Sequence, residues 1–409
     1  MDRRTFVKLL AITFLTPDLI SATGVRSLLA SQPPSGVPEE QFAWNDLLRQ
    51  DSYGNPQLPF HNFLAMLDVN GEPNSQKVSR LEGVLSRLEE LFPRRSAGVL
   101  FLLGWGPSYF RDVLGLPDAK IPIPNPQPLS SFETPTLDRY HACLHVAGDQ
   151  IQHVEAVRAA LFEGRAAVDR TPVDLDVRSV FQLKEIRTGF VGAPLPSEHQ
   201  DAGGIPPGHP VPATSPLFMG FHSGFRGNQA TEEEITITKG YFRGGTTMHV
   251  SRLRLRLNDW YTRLTEEERV ARMFSPFQTA SQVANFTDNP PVDPDRVVQA
   301  AKRHGVVGHA QKSARARRNG RPIMLRRDFN TIDGDNAGLH FVALQRSIDD
   351  FVAVRRAMNG ENLPYENPAI QPRINNGILE FMFVLNRANF IVPPRWKRSF
   401  PLLEKVNKT

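Results

Sequence analysis

The chain has 409 residues, enough for two domains, and its 40% apolar and 22% charged residues are ordinary for a globular protein. A formal net charge of +5 over this length does not by itself call for nucleic acid or an anionic membrane as a partner. No stretch supplies the roughly 20 consecutive apolar residues of a membrane span. The one cysteine, Cys143, excludes an internal disulfide and a site built from several thiolates.

The first residues have the layout of an export signal. Arg3 and Arg4 precede a short apolar run at residues 9–15, and small residues follow near positions 21–24 and 29–31. This layout is typical of a twin-arginine signal. We therefore predict a signal peptide over residues 1–31 and export by the twin-arginine pathway to the periplasm or the extracellular space. Pro17 and Asp18 interrupt the apolar run and leave open a cytoplasmic protein with an amphipathic first helix.

A stretch rich in Pro, Ser and Gly at residues 32–38 begins a predicted linker or extension over residues 32–58. Apolar residues then recur at helical spacing over residues 75–92 and again over residues 153–162. Short apolar runs at residues 98–104 and 143–147 indicate buried strands. The alternation of strands and amphipathic helices predicts an α+β domain over residues 59–185, with helices covering a sheet.

The second half repeats this pattern after a loop rich in Pro and Gly at residues 195–215. Residues 248–257 alternate between apolar side chains and Arg252, Arg254 and Arg256, which predicts a strand with the arginines on its solvent face. A helix is predicted over residues 260–273, a buried strand over residues 339–344 and a helix over residues 347–358. These elements predict a second α+β domain over residues 186–400.

Several short motifs of the second half share the order and spacing of one known family. They are Thr-Gly-Phe-Val-Gly at 188–192, Gly-Gly-Thr-Thr at 244–247, Trp260, Gly-His-Ala at 308–310, Leu-Arg-Arg at 325–327 and Gly-Leu-His-Phe-Val at 338–342. Taken together, the chain resembles the dye-decolourising (Dyp-type) peroxidases, the family that includes the exported deferrochelatases. Residues 98–104 and 145–153 resemble that family's first domain, so the resemblance covers roughly residues 60–395.

The resemblance implies an α+β fold of two ferredoxin-like domains, each an antiparallel sheet covered by helices, with haem b in the second. His309 would be the proximal ligand of the haem iron, because a neutral imidazole nitrogen binds iron well. Arg326 would be the catalytic group on the distal face, where a permanent positive charge stabilises the anion that forms as a peroxide bond breaks. Arg327 is an alternative candidate for this role, because a shift of one residue in the alignment with the family would exchange Arg326 and Arg327. Both arginines are candidates for binding the cofactor.

The implied partners are hydrogen peroxide and a small-molecule electron donor, with iron held by His309. Nucleic acid is not an expected partner, because no aromatic residues interleave with the basic residues of positions 312–321, which include Lys312 and are predicted to form a solvated loop. The edges of the sheets could pair copies of the chain into a homo-oligomer.

The chain departs from the family at the distal aspartate, which should lie within residues 189–193. Gly192 stands there, and the next carboxylates are Glu198 and Asp201. A residue that moves a proton must come within hydrogen-bond reach of the oxygen it serves, and glycine has no side chain to do so. We therefore expect a haem peroxidase with reduced or altered activity. The alternatives are a non-catalytic protein that binds or transports haem and a haem-free pseudoenzyme.

The histidines on either side of Cys143 form a second candidate metal site. His141 and His145 are four residues apart, a spacing that brings two ligands together on a helix. Because residues 143–147 are predicted to form a strand, structural roles for these side chains are favoured over metal binding.

Overall fold

The structure is a computed structural model that describes residues 37–406, apart from residues 93, 166, 169–170, 224, 286–292 and 335. The predicted signal peptide lies outside the described residues. Among the described residues, no helix combines the length and the apolar character needed to cross a membrane.

The first half forms a βαββαβ unit, as the alternation of strands and helices predicts. Its strands lie in the order β4-β1-β3-β2 and are antiparallel to their neighbours. This is the ferredoxin-like arrangement, which confirms the predicted fold class. The elements are β1 (His61–Val69), α1 (Ser75–Leu91), β2 (Leu100–Trp105), β3 (Ala142–Gly148), α2 (Ile151–Phe162) and β4 (Phe181–Phe190).

Helix α1 shows how the sequence produces this unit. The Asn74 side chain caps it by accepting a hydrogen bond from the Lys77 N–H, at 3.0 Å. Its apolar stripe packs on the outer face of the sheet together with α2, and comprises Val78, Leu81, Val84, Leu85 and Leu88.

The second half repeats the same order of strands, β9-β5-β8-β6, with β7 continuing the line of β6. The helix predicted over residues 260–273 is two helices, because Thr265 and Glu268 form a capping box that begins a new one. The elements are β5 (Thr246–Leu255), α3 (Leu257–Thr262), α4 (Glu266–Met273), α5 (Ala280–Asn285), α6 (Val297–His304), α7 (His309–Ser313), β6 (Leu325–Arg326), β7 (Phe329–Thr331), β8 (Gly338–Gln345), α8 (Ile348–Asn359) and β9 (Met382–Val392).

Shorter pieces connect these elements. Two-residue strands pair at Arg49–Gln50 with Pro56–Gln57, at Ala167–Val168 with Thr171–Pro172 and at Arg317–Arg318 with Arg321–Pro322, while Thr136–Leu137 runs parallel to β9. Single-turn helices lie at Asn45–Leu47, Tyr109–Val113, Asp118–Lys120, Leu195–Glu198, Glu232–Ile235, Pro294–Arg296, Leu363–Tyr365, Arg395–Lys397 and Leu403–Val406.

The two sheets join along both sides and close into a barrel. One seam pairs Phe190 of β4 with Asn330 of β7, and the other pairs Trp105 of β2 with Ile391 of β9. The barrel interior is apolar and receives side chains from both halves. Each seam is a single residue pair, and the possible homo-oligomer stays a prediction.

The segment before β1 packs into this interior. Phe42 and Trp44 are fully buried there. The amide of Gln41 donates to the carbonyl oxygens of Leu103 at 3.2 Å and Pro393 at 2.8 Å, and so ties together the two sides of one seam. Gln41, Phe42 and Trp44 of the predicted linker are therefore part of the core.

The outer face of the second sheet is covered by helices and positions the site described below. On β8, Val342 and Leu344 point into the barrel. Leu339 and Phe341 alternate with them and point outward. Helix α8 packs against this outer face, with the rings of Phe341 and Phe351 6.1 Å apart.

Candidate functional site

The two adjacent arginines of β6 and its continuation point to opposite sides of the sheet. Arg327 is only 2% exposed and lies in the barrel. Its guanidinium donates to Asn45 Oδ1 at 2.9 Å and pairs with Glu232 Oε1 at 3.3 Å. Arg326 faces the outer side and stays partly exposed, and its backbone N–H donates to Gln229 Oε1 at 2.6 Å. Arg326 is therefore the arginine on the covered outer face, while Arg327 is committed to the interior.

His309 begins helix α7, and two glycines fix its position. A Cβ at Gly308 would overlap the carbonyl oxygen of Phe274, at the end of α4. A Cβ at Gly377 would lie 3.1 Å from the His309 Cα. Only residues without side chains allow α7 to approach both segments this closely, so the backbone holds the imidazole in one place.

The His309 imidazole is neutral in the pH range of most cells. Burial lowers its pKa to about 3, with smaller effects from the positive charges of Arg326, Lys312 and Arg355. Arg326 is therefore close enough for its charge to act on the ring. No described residue forms a hydrogen bond with either ring nitrogen of His309. A neutral imidazole with a ring nitrogen not used in a hydrogen bond is able to bind a metal.

The outward side chains of β8 form an apolar surface beside Arg326. Leu339 and Phe341 remain partly exposed, whereas Val342 on the barrel side is fully buried. Arg326 pairs across the sheet with Ala343, the next outward position after Phe341, so it flanks this surface. The partial exposure of Leu339 and Phe341 leaves this apolar surface accessible to solvent.

Asp328 is a carboxylate of this site that the sequence did not single out. It is 6% exposed, and its Oδ1 accepts a hydrogen bond from the Val342 N–H at 3.0 Å. Its Oδ2 lies 3.9 Å from Arg326 Nη1. Burial raises the pKa of this carboxyl to about 6, although the Arg326 charge and the hydrogen bond act in the opposite direction. The available signal was its place two residues after Arg326, since alternate residues of a strand share a face.

The loop after β4, where the sequence predicted a missing carboxylate, is held by the buried Asn330. The Asn330 amide donates to the carbonyl oxygens of Phe190 at 3.0 Å and Pro216 at 3.3 Å. Its Oδ1 accepts the Phe218 N–H at 2.8 Å. Because Asn330 follows Asp328 by two residues, this loop begins close to the arginine and the carboxylate described above.

The backbone at Gly192 itself is suited to glycine. Its φ is +101°, and a Cβ there would lie 2.9 Å from the ring of Phe60. Glu198 lies at the end of a single-turn helix, and Asp201 is exposed beyond it. Neither of these two carboxylates makes a hydrogen bond or an ion pair with Arg326.

A buried polar network occupies the neighbouring part of the same outer face. Glu133 accepts two hydrogen bonds from Arg387, at 2.9 and 3.0 Å, and one from Arg355 at 3.1 Å. The His249 ring stacks on Phe351 with a centroid distance of 3.6 Å, and its Nε2 lies 3.2 Å from Arg387 Nη1. His249 is thus fully engaged, in contrast to His309.

Lys312 is buried, so the solvated position expected for it is wrong. Its amino group donates to the Asn376 carbonyl oxygen at 3.1 Å and also to the Asn376 side chain and the Met358 carbonyl oxygen. Burial lowers its pKa well below the ordinary value for lysine. These bonds attach α7 to the end of α8 and thereby support the placement of His309.

The residues around Cys143 have structural roles. His141 Nδ1 accepts the Val69 N–H at 3.0 Å, and His145 Nε2 lies 3.0 Å from Asn62 Oδ1. Burial raises the pKa of the Cys143 thiol to about 12. In the part of the chain that the structure describes, no three His, Cys, Asp or Glu side chains are grouped as a metal site. A site in which a single histidine binds the metal would not form such a group of three side chains.

Comparisons with known proteins give the family and the fold. The model of a family of unknown function, DUF7405, matches residues 59–394. No curated protein matches the chain significantly. Similar solved structures include a Dyp-type peroxidase from Cellulomonas bogoriensis, which is 20% identical with a TM-score of 0.54 and for which the alignment covers 82% of this chain and 90% of the other.

A DypB variant from Rhodococcus jostii RHA1, solved in complex with heme, is 15% identical with a TM-score of 0.54, covering 87% of this chain and 96% of that one. A Dyp-type peroxidase protein from Shewanella oneidensis is 17% identical with a TM-score of 0.53, covering 83% and 94%. These likenesses extend over nearly the whole of each neighbour and concern the fold. The chain belongs to the family DUF7405 and has the two-unit ferredoxin-like fold of the Dyp-type peroxidases.

Proposed function

We propose that this chain binds haem b through His309 and reduces hydrogen peroxide with electrons from a small-molecule donor. The observation that carries the proposal is the neutral, unpartnered imidazole of His309 within electrostatic reach of Arg326. The fold shared with a protein solved in complex with heme supports the same assignment.

The residues present fit a haem group. Haem iron is commonly bound by a neutral imidazole, and His309 offers one whose ring nitrogens are not used by other described residues. A porphyrin packs against apolar side chains, and the outward Leu339 and Phe341 offer two of these. The two glycines at positions 308 and 377 fix the backbone of the ligand, as a metal site requires.

The chemistry divides between the cofactor and the chain. Haem iron, when bound, supplies the electrons that break the O–O bond of the peroxide, and the donor later restores them. Overall, one hydrogen peroxide takes up two protons and two electrons and gives two waters. The guanidinium of Arg326 stabilises the negative charge that develops on the departing oxygen.

Absorption spectroscopy tests the proposal. The purified protein reconstituted with haem should show a Soret band, which should shift on addition of hydrogen peroxide. The variant His309→Ala should lose the band, while the matched control His209→Ala, which changes an exposed loop histidine, should keep it. Equal Soret bands in wild type and His309→Ala would show that another residue binds the iron.

The role of Arg326 has its own test. Arg326→Ala should keep the Soret band but react with peroxide roughly 100-fold more slowly, the usual cost of removing a charge-stabilising group from an active site. The control Arg303→Ala changes an exposed arginine of α6 and should react at the wild-type rate.

A protein that only binds or transports haem is the second candidate, favoured by the lack of a side chain at Gly192. Such a protein would show a Soret band that hydrogen peroxide does not change at a catalytic rate. A haem-free module on the same fold would show no Soret band under any condition of reconstitution.

We also propose export by the twin-arginine pathway, on the basis of Arg3 and Arg4 and the apolar run that follows them. Replacement of both arginines by lysine should retain the protein inside the cell, whereas the wild-type chain should reach the periplasm or the medium. Unchanged fractionation of the double variant would contradict this part of the proposal.

A further inference from the structure

We infer that Asp328 is the proton-transferring carboxylate of this site, carrying a proton from one oxygen of bound hydrogen peroxide to the other. The inference rests on the proposed function and assigns to one residue the task that Gly192 cannot perform. Asp328 lies directly before β7, the strand segment that pairs with the end of β4, whereas Glu198 and Asp201 lie in the loop after β4.

The first support is geometric. Asp328 follows Arg326 by two residues, and its Oδ2 lies 3.9 Å from the Arg326 guanidinium. The peroxide oxygen that gains negative charge must lie beside that guanidinium. A carboxylate that shares the same neighbourhood is therefore within reach of the oxygen that needs a proton.

The second support is the way the side chain is held. Asp328 Oδ1 accepts the Val342 N–H at 3.0 Å, in place of the backbone carbonyl that a regular antiparallel ladder would offer. This bond fixes the carboxyl plane and leaves Oδ2 without a hydrogen bond to any described residue. One oxygen thus anchors the group and the other is free to exchange a proton.

The other buried or half-buried carboxylates nearby contact other residues. Glu133 is bound by two arginines of the polar network. Asp333 accepts hydrogen bonds from the Thr188 hydroxyl at 2.8 Å and the Thr188 N–H at 2.9 Å, and it lies 3.2 Å from His340 Nε2. Asp350 pairs with Arg318 at 2.5 Å. Asp328 is the buried carboxylate whose charged neighbour is Arg326.

The protonation of the group suits a shuttle. With a pKa raised to about 6, the Asp328 carboxyl can both accept and release a proton near neutral pH. Burial is the main cause, and Arg326 is the charged group that acts on it among the described residues. The ionised form can take a proton from one oxygen of the hydrogen peroxide.

The proton then passes to the outer oxygen as the O–O bond breaks, and that oxygen leaves as water. Asp328 returns to the carboxylate form, so it is neither consumed nor oxidised. The electrons for bond cleavage come from the haem group and are replaced by the donor, as in the proposed function.

The test compares Asp328→Asn with Asp328→Glu in haem-loaded protein, with Asp201→Asn as the control for an exposed aspartate. We expect Asp328→Asn to keep the Soret band and the haem affinity but to react with peroxide at least about 100-fold more slowly. Asp328→Glu, which restores a carboxyl group, should recover part of the rate, and Asp201→Asn should match the wild type.

A second readout needs no haem. In haem-free protein with ¹³C-labelled aspartate carboxyls, the wild type should show a resonance that titrates near pH 6, and Asp328→Asn should lack it. This measurement also serves if Asp328→Asn does not fold with haem, because the wild-type titration and the Asp328→Glu rate then decide the matter.

The outcomes separate the two proposals. Equal peroxide rates in wild type and Asp328→Asn, with Soret bands in both, would overturn the role of Asp328 and leave the proposed function intact. The absence of an Asp328 titration near pH 6 would overturn it as well. A wild-type protein without a Soret band would overturn both, since no bound peroxide would remain to be protonated.

Discussion

The substitution Asp328→Asn should stabilise the haem-free protein at neutral pH, although it removes a buried charged group next to an arginine. In the folded protein the pKa of the Asp328 carboxyl is about 6, compared with an ordinary value of 3.8. The fold therefore disfavours the ionised form. Because each tenfold change in proton affinity corresponds to about 1.4 kcal/mol, this difference amounts to roughly 3 kcal/mol.

Whether the free energy of unfolding rises or falls with pH depends on whether the folded or the unfolded protein binds more protons. Between about pH 4 and pH 6 the folded protein holds the Asp328 proton while the unfolded chain has lost it. The wild-type free energy of unfolding should therefore fall as pH rises through this window and stay level above it, as far as Asp328 contributes. Asparagine keeps an oxygen for the Val342 N–H and does not ionise, so the variant should lack this fall.

Urea unfolding of the haem-free protein, followed by tryptophan fluorescence from about pH 4 to pH 8, measures the effect. Asp328→Asn should be more stable than the wild type by up to about 3 kcal/mol at pH 7, and the difference should vanish near pH 4. Asp201→Asn, which changes an exposed aspartate, should run parallel to the wild type. Parallel curves for wild type and Asp328→Asn across the whole range would refute the reasoning.

Three further substitutions test the packing around the site. Glu133→Gln should lower the free energy of unfolding by about 3–5 kcal/mol, because it leaves two buried arginines without their carboxylate, and urea unfolding at pH 7 measures the loss. Gly192→Asp, which restores a carboxyl at the family's position, should destabilise the protein and not raise the peroxide rate, because the backbone φ is +101° and Phe60 occupies the space; a faster, stable variant would contradict this. Gly308→Ala should weaken haem binding in a spectroscopic titration, since the added methyl group overlaps the Phe274 carbonyl and displaces helix α7; unchanged affinity would show that the helix can adjust.

Much of the fold could be predicted from periodicity. The alternation of apolar residues and arginines predicted strand β5, and the helical stripe of residues 75–92 predicted α1 nearly to its ends. The ferredoxin-like arrangement came from the order of motifs, not from any single one. The division of the helix at Thr265 could also have been predicted from the sequence, because Thr265 and Glu268 have the spacing of a capping box.

The candidate site was less accessible to sequence, for physical reasons. Adjacent residues of a strand face opposite sides, so a choice between Arg326 and Arg327 requires knowing which side is the barrel interior. Both sides of this sheet are covered, and hydrophobic alternation does not distinguish them. The burial of Lys312 and the raised pKa of Asp328 depend on contacts with segments far along the chain, which no local pattern records.

In the closed barrel described above, each half contacts the other through equivalent strands. The last strand of each half pairs with the second strand of the other, as in a dimer with twofold symmetry formed within one polypeptide. Half of the molecule alone would expose an apolar concave face and two unpaired strand edges, both of which promote aggregation.

Fragments of this chain are therefore unsuitable for isolating the site, even though all its proposed groups lie in the second half. A backbone cut in the loop after β4 should be tolerated more readily than loss of either half. Two polypeptides that are produced together and correspond to the chain divided at that loop should associate and form the same apolar interior. The peroxide chemistry of the second unit would thus depend on a partner that contributes none of its reacting groups.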